Sequence, residues 1–191
     1  INELAEVDLD ALSDKEQLAL LINAYNAFTL QLIIEHYPVA TIKDIAVEDR
    51  WKAKRWKIGK YTWSLDDIEH EQIRKRFAEP RIHWALVCAG LSCPPLRGEA
   101  YTAEPLDEQL EDQTRIVHSN DEWLRYDAST NTLHLTPLYN WYGIDLVKHE
   151  APVLEYIARY VPAVKAKLDS GDPPKVEWLT YDWSLNEPKA E

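Results

Sequence analysis

The chain contains few of the residues that build metal or disulfide scaffolds. It has two cysteines, five glycines, two phenylalanines and no methionine among 191 residues. Two cysteines cannot supply the bridges of a disulfide-stabilised scaffold or the four ligands of a structural zinc site. We therefore predict no metal site, and we expect no cofactor. Because the sequence starts at Ile1 and lacks methionine, we also expect a processed or trimmed product.

Positive charge is scarce as well. Lysine and arginine number 21 against 33 aspartates and glutamates, which gives a net charge of −12. A balance this acidic argues against nucleic acid as a partner. The exception is a basic stretch with six cations in residues 50–60, interleaved with Trp51 and Trp56. Such a run either holds an anionic ligand or forms the solvated face of a hairpin.

No uninterrupted apolar run has the length of a membrane span. The longest candidate, Leu18–Ile34, contains Asn23 and Asn26, so we predict no integral membrane segment. A capping box at Ser13 and Glu16 opens a helix over this region that ends near Tyr37. The helix is apolar on nearly all sides, which is typical of a buried central helix. Its two asparagines share a face, and there they either tie down neighbouring loops or contact a substrate.

The remaining helices and strands are short, and they do not alternate as repeated βαβ units. The pattern predicts one α+β domain over residues 1–191, with a buried central helix and a small, mainly antiparallel sheet. A papain-like or transglutaminase-like arrangement in permuted order is the specific architecture considered. Strands are predicted at Trp56–Ile58, Tyr61–Trp63, Ile82–Ala89, Trp123–Asp127, Thr132–Thr136 and Val176–Thr180. Helices are predicted from Leu65, Thr102, Pro152 and Pro162, and an aromatic loop at Pro137–Gly143.

Both cysteines lie in one stretch, RIHWALVCAGLSCPPLR at Arg81–Arg97. The apolar half predicts a strand buried on both faces, with Cys88 as an inert core residue. Cys93 follows the turn and is held by two prolines, which is a suitable place for a nucleophilic thiol. A loop cysteine without chemistry is the alternative. We rank a disulfide switch between the two last, because alternate side chains of a strand point apart.

A thiol nucleophile needs a base and an orienting group. Glu69 lies near the middle of the apolar stripe of its predicted helix, and His70 lies at the border. Adjacent helical residues point about 100° apart, so we expect Glu69 not to orient His70. Two arrangements are consistent: Cys93–His83–Glu69 with a folded-back loop, or Cys93–His70 oriented by one of the two helix asparagines.

Four motifs in order resemble a bacterial and plant family called domain of unknown function 547. They are NAYNAF, SLDDIEH, the cysteine-containing stretch above, and the terminal YDWSLN. The resemblance covers nearly the whole chain and implies no assigned activity. It implies export for bacterial members, hence a periplasmic or secreted location, and protein interactions for plant members. It marks these residues: Asn23, Asn26, Glu69, His70, His83 and Cys93.

From these residues we predict a cysteine-dependent hydrolase or transferase. Its substrate would be a peptide, a γ-glutamyl compound or a thiol-containing small molecule. The predicted catalytic residues are Cys93, His83, His70 and Glu69, and the predicted substrate contacts are Asn23, Asn26, Arg97 and Tyr142. The alternative is a non-catalytic module that binds a peptide or protein partner in a groove lined by aromatic residues such as Tyr139–Tyr142 and Tyr181–Trp183.

Overall fold

The chain adopts the α+β class that the sequence predicts. The structure is a computed structural model, and it describes residues 1–187. These residues divide into two compact units. The first unit comprises residues 1–78, 85–109 and the described residues from 182 onward, and the second comprises residues 79–84 and 110–181.

The helices and strands follow the predicted order with two exceptions. The α-helices are α1 (Asp14–His36), α2 (Val47–Arg50), α3 (Leu106–His118), α4 (Leu138–His149), α5 (Val153–Ala158) and α6 (Pro162–Asp169). The strands are β1 (Trp56–Ile58), β2 (Tyr61–Trp63), β3 (Leu124–Asp127), β4 (Thr132–Leu135) and β5 (Lys175–Trp178). A π-helical segment spans Asp67–Ile73, and 3₁₀ helices span Asn2–Glu6, Leu9–Ala11, Ile42–Asp44 and Pro80–Trp84.

The central helix α1 forms the core of the first unit. Its capping box is present: the Ser13 backbone N–H donates to Glu16 at 2.8 Å, and the Glu16 N–H donates to the Ser13 hydroxyl. Apolar residues on most of its circumference are buried, which confirms the predicted position. By length and composition α1 could cross a membrane, but 67% of its most apolar window is buried inside the protein. The core helix of a protein that does not span a membrane can meet the same criteria of length and apolar composition.

The hairpin β1–β2 is the predicted one, with Trp56 opposite Trp63 and Ile58 opposite Tyr61. Its turn places the backbone of Gly59 against the N-terminal segment, where the Gly59 N–H donates to the Leu4 carbonyl at 2.8 Å. Gly59 has a φ of +55°, and a Cβ atom there would collide with the Val7 carbonyl oxygen. Only glycine fits both constraints.

Gly59→Ala is expected to lower the free energy of unfolding by about 2–3 kcal/mol, from left-handed backbone strain plus displacement of Val7. Gly171 is the matched control, because it has a φ of +74° but a Cβ atom added there would meet no other atom within 4 Å. Gly171→Ala carries the backbone strain alone and should cost about 1 kcal/mol. Urea unfolding of both variants measures the difference. Equal losses would show that the close approach to Val7 has no energetic consequence.

The second unit packs helices on a three-stranded sheet in the order β3-β4-β5. Strands β3 and β4 form the predicted antiparallel hairpin, whereas β5 joins β4 in parallel. Trp84, at the end of a 3₁₀ helix, lies in the core of this unit, and its indole N–H donates to the Tyr156 hydroxyl at 3.4 Å. His118, at the end of α3, is surrounded by aromatic rings in the same core.

Two predicted elements are wrong. The segment predicted as a strand at Ile82–Ala89 begins as the 3₁₀ helix Pro80–Trp84 and continues without regular structure. Its buried backbone groups are bonded to a side chain of α1 instead of to a neighbouring strand. The predicted aromatic loop Pro137–Gly143 is instead the start of α4, which buries Leu138, Tyr139 and Leu146. Burial of these residues outweighs the low helix propensity of the Asn, Tyr and Gly around them.

Candidate functional site

The two cysteines are joined by a disulfide, with a Cα–Cα distance of 6.1 Å. The low rank we gave this pairing rested on a strand that does not form. Ala89 has a φ of +61°, and this left-handed residue turns the chain back so that Cys93 meets Cys88. The Cys93 N–H donates to the Gly90 carbonyl at 3.1 Å, which closes the turn. A free thiol at Cys93 therefore requires reduction of this bond.

The exposure of the two sulfur-bearing residues is the reverse of the prediction. Cys93 is 5% exposed, whereas Cys88, predicted to be the inert core residue, is partly exposed. The backbone N–H of Cys88 donates to the Cys93 sulfur at 2.9 Å. A hydrogen bond of this kind favours an anionic sulfur over a neutral one. Cys93 is thus the sulfur better placed to carry negative charge, and Cys88 is the one more open to an external reagent.

The terminal YDWSLN motif holds the disulfide loop in place. The Leu91 N–H donates to the Ser184 carbonyl at 2.9 Å, and the Ser92 N–H donates to the Asp182 carbonyl at 3.1 Å. In return, the Asp182 N–H donates to the Ser92 hydroxyl at 2.8 Å. A Cβ atom on Gly90 would lie 3.3 Å from the Asp182 carbonyl oxygen, so the two segments are in close contact. The third and fourth family motifs therefore form one structural feature.

Both asparagines of α1 bond to the backbone with each end of their amide. Asn26 donates to the Ala85 carbonyl and accepts from the Val87 N–H, both at 2.9 Å. Asn23 donates to the Tyr101 carbonyl at 2.7 Å and accepts from the Tyr101 N–H at 2.9 Å. This is the geometry of amides that tie down neighbouring loops. Their predicted contact with substrate stays a prediction.

Glu69 and His70 lie together on the π-helical segment. Glu69 is buried, and its carboxylate lies 3.7 Å from Nδ1 of His70, which is longer than a hydrogen bond. That Glu69 does not orient His70 stays a prediction. Arg74 lies nearer, with its guanidinium 3.1 Å from the same nitrogen. Because arginine can only donate, the Nδ1 of His70 is an acceptor, and the neutral ring carries its proton on Nε2.

His83 lies in the second unit and is oriented by a residue that we had not identified from the sequence. Its Nε2 atom is 2.7 Å from a carboxylate oxygen of Asp145, and its side chain is 4% exposed. The carboxylate accepts, so Nε2 carries a proton. Tyr142, a predicted substrate contact, stacks on the imidazole with ring centroids 4.0 Å apart. Tyr142 and Asp145 are three residues apart on one face of α4, a spacing that the loop prediction concealed.

Each unit therefore contains one arrangement of predicted site residues. In the first unit the disulfide loop is fixed by the terminal motif, and in the second unit an imidazole is held between a carboxylate and a tyrosine. Arg97 lies in the first unit, four residues after Cys93, and is partly buried. Within residues 1–187, no group of three His, Cys, Asp or Glu side chains is placed to hold a metal ion.

The comparisons with known proteins give a family and no activity. No curated protein and no solved structure matches the chain. A family model described as a protein of unknown function, DUF547, matches residues 9–116. The match includes the first three motifs, while YDWSLN and the Tyr142–Asp145 pair lie beyond it. Because the match covers more than half of the 191 residues, the chain belongs to the DUF547 family.

Proposed function

We propose that this protein is a cysteine-dependent hydrolase or transferase whose nucleophile, Cys93, is stored as a disulfide. Its substrate is a peptide, a γ-glutamyl compound or a thiol-containing small molecule. The observation that carries the proposal is the hydrogen bond from the Cys88 N–H to the Cys93 sulfur. A thiolate is the reactive form of cysteine, and a fixed amide donor favours that form without a metal or a neighbouring cation.

The second support is the imidazole of His83. A base that serves a thiol must be held in one orientation and one tautomer, and a carboxylate hydrogen-bonded to the ring does both. Asp145 holds His83 in this way at 2.7 Å, and stacking on Tyr142 restricts the ring further. We propose that His83, held by Asp145 within the second unit, is an acid–base group, with Asp145 in the orienting role that we had predicted for Glu69.

The proposed reaction is an acyl transfer. The Cys93 thiolate attacks the carbonyl carbon of the substrate, the carbon–nitrogen bond breaks, and the leaving amine takes a proton from a general acid. The product is a thioester on Cys93. Water in a hydrolase, or a second amine or thiol in a transferase, then attacks this thioester. The proton of this nucleophile returns to the acid–base group, the carbon–sulfur bond breaks, and the Cys93 thiolate is regenerated.

Reduction of the disulfide must come first. An external thiolate would attack Cys88, the more exposed sulfur, and Cys93 would leave as a thiolate that the Cys88 N–H stabilises. A second external thiol completes the reduction, and the two external sulfurs end as a disulfide. We also propose a periplasmic or secreted location, which the disulfide supports because such bonds persist in oxidising compartments. There, activity would depend on a thiol reductant.

Two single variants test the thiolate directly, because each leaves one cysteine free without a reductant. Cys88→Ser frees Cys93, and Cys93→Ser frees Cys88. At pH 6 an ordinary cysteine is about 0.3% ionised, so a stabilised thiolate should react with iodoacetamide at least ~10-fold faster. We expect this faster rate for Cys88→Ser alone, measured by intact mass.

Equal alkylation rates in the two variants, or no adduct in Cys88→Ser, would contradict the proposal. Asn120→Ser, which changes a partly buried residue next to a turn in the second unit, is a control for nonspecific effects of substitution in the Cys88→Ser background. It should leave the alkylation rate unchanged. Wild-type protein should give no adduct until a dithiol has reduced it, because both cysteines are bridged.

A second candidate function is a non-catalytic protein-binding module. It is favoured by an exposed apolar face on α4, where Trp141, Ile144 and Val147 are 43%, 64% and 56% exposed. The Trp141 ring also contacts Tyr181 at 4.9 Å, which brings two of the predicted aromatic segments together. Tyr139 does not belong to this face, because it is buried in the core. A binding module predicts that Cys93→Ser leaves partner binding intact.

A further inference from the structure

The basic stretch of residues 50–60 is not one uniform surface. Five of its six cations are exposed, and three of these pair with carboxylates. The pairs are Lys54–Asp67, Arg55–Glu35 and Lys60–Asp10. These cations have the character of a solvated face. Arg50 differs, because it is 8% exposed.

The buried guanidinium of Arg50 lacks a counter-ion among the described residues. Within residues 1–187 no carboxylate lies within 4.0 Å of it, and its Nε atom is buried without a hydrogen-bond partner. The guanidinium lies over the ring of Trp51, 4.5 Å from its centroid. A single cation–π contact offsets only part of the cost of burying a charge. Among residues 1–187, no carboxylate pairs with this guanidinium.

A second indole contacts Trp51, and a second cation lies over that indole. The rings of Trp51 and Trp183 meet edge to face, with centroids 6.2 Å apart. The ammonium of Lys43 lies 3.7 Å from the centroid of Trp183. Trp183 belongs to the terminal motif, and a Cβ atom on Gly90 would lie 3.5 Å from its Cα atom. The cluster of two cations and two indoles thus adjoins the disulfide loop within the first unit.

We propose that Arg50 and Lys43, flanked by Trp51 and Trp183, bind the oxyanion of a small ligand. A guanidinium offers paired N–H donors that match a carboxylate or a phosphate, and the ammonium adds a second charge. Because Arg50 is buried against the Trp51 indole, its interaction with an anion is less weakened by water than that of a surface cation. In terms of the proposed function, on which this step rests, the anion is the carboxylate of the substrate that reacts at Cys93.

The test uses the full chain as Cys93→Ser, so that binding does not depend on a thiol. Glutarate and inorganic phosphate are titrated separately, with sodium chloride at equal ionic strength as the control for screening. We expect saturable binding of glutarate with a dissociation constant of roughly 1 mM or tighter, by calorimetry and as a rise in Tm. Saturable binding of phosphate alone would assign the site to a phosphorylated ligand and overturn the carboxylate assignment.

The variant Arg50→Met distinguishes an arginine that binds a ligand from an arginine that has only a structural role. If the buried charge is kept for a ligand, Arg50→Met should raise the Tm without ligand and weaken binding at least ~10-fold. Arg55→Met is the matched control, because Arg55 also lies over its neighbouring indole, at 4.3 Å, but is paired with Glu35. This control should keep the binding and gain no stability.

A lower Tm for Arg50→Met together with unchanged binding would overturn the inference, as would the absence of saturable binding in Cys93→Ser. Should Arg50→Met fail to fold, Lys43→Gln gives the second measurement, since Lys43 is a surface residue whose loss should still weaken glutarate binding. Alkylation of Cys93 in the Cys88→Ser variant is measured independently. The proposed anion site and the proposed reactive thiol are therefore tested by separate experiments, and either can be contradicted without the other.

Discussion

Replacing Asn26 with leucine is expected to lower the free energy of unfolding by about 2–6 kcal/mol. Leucine has the same number of heavy atoms and the same branching but cannot bond the Ala85 carbonyl or the Val87 N–H, and both residues are buried. Each orphaned backbone group costs about 1–3 kcal/mol. Since these groups precede the disulfide loop, the substitution should also loosen that loop. Urea unfolding measures the first effect, and amide hydrogen exchange at Val87 measures the second.

Asn23→Leu is the matched control. Asn23 makes the same pair of backbone bonds to Tyr101, but it is only partly buried, so water can replace its amide. We expect a loss of about 1–2 kcal/mol and unchanged exchange at Val87. If Asn26→Leu cost no more than Asn23→Leu, the side chain of Asn26 would not be what holds the segment after Trp84.

Acidification is expected to destabilise this protein through His118. Burial lowers the pKa of His118 from 6.5 to about 4, against the opposing effects of the Thr114 carbonyl and of Glu111. The ring is neutral, because its Nδ1 donates to the Thr114 carbonyl at 2.7 Å and its Nε2 accepts from the Tyr139 hydroxyl. Trp84, Tyr156 and Tyr160 surround it. A proton added to this ring would be unsolvated.

The direction of the change in stability with pH follows from the difference between the folded-state and unfolded-state pKa values of His118. A histidine whose pKa is lower in the folded state contributes its full stability above pH 6.5 and loses it as the pH falls toward 4. The difference corresponds to roughly 3 kcal/mol over that interval. Stability measured by urea unfolding from pH 7.5 to pH 4 should therefore fall by about this much more in wild type than in His118→Gln. Because both proteins contain the same carboxylates, the contribution of those groups to the pH dependence cancels in the comparison.

His149→Gln supplies the control, because His149 is a partly exposed histidine at the end of α4 in the same unit. Its pH dependence should follow that of wild type. Identical pH profiles for wild type and His118→Gln would mean that the buried ring takes up its proton at no cost. At neutral pH, His118→Gln should still be less stable, because the ring that packs against Trp84, Tyr156 and Tyr160 is removed.

Local signals in the sequence predicted most of the fold. The capping box placed the start of α1, and the two hairpins followed from alternating residues around polar turns. These elements are determined by contacts between residues near each other in the chain. The parallel pairing of β4 with β5 is not, because more than forty residues separate Thr132 from Lys175. No pattern in either strand specifies that partner.

The candidate site was harder to predict for the same reason. Ile82–Ala89 has the composition of a buried strand, but its hydrogen-bond partner is the side chain of Asn26, about sixty residues earlier. Without a strand, the two sulfurs can meet, and the disulfide that we had ranked last forms. Asp145 was missed because the segment before it was predicted as a loop. A helix there would have placed Tyr142 and Asp145 on one face.

The terminal motif also affects how the chain matures during synthesis. Leu185, which bridges Gly90, is made 95 residues after it, a delay of about 5–20 s at ordinary translation rates. Until then the two thiols emerge on a segment that lacks its final backbone partners. The backbone contacts that hold the disulfide loop can therefore form only after residues 182–187 have been made.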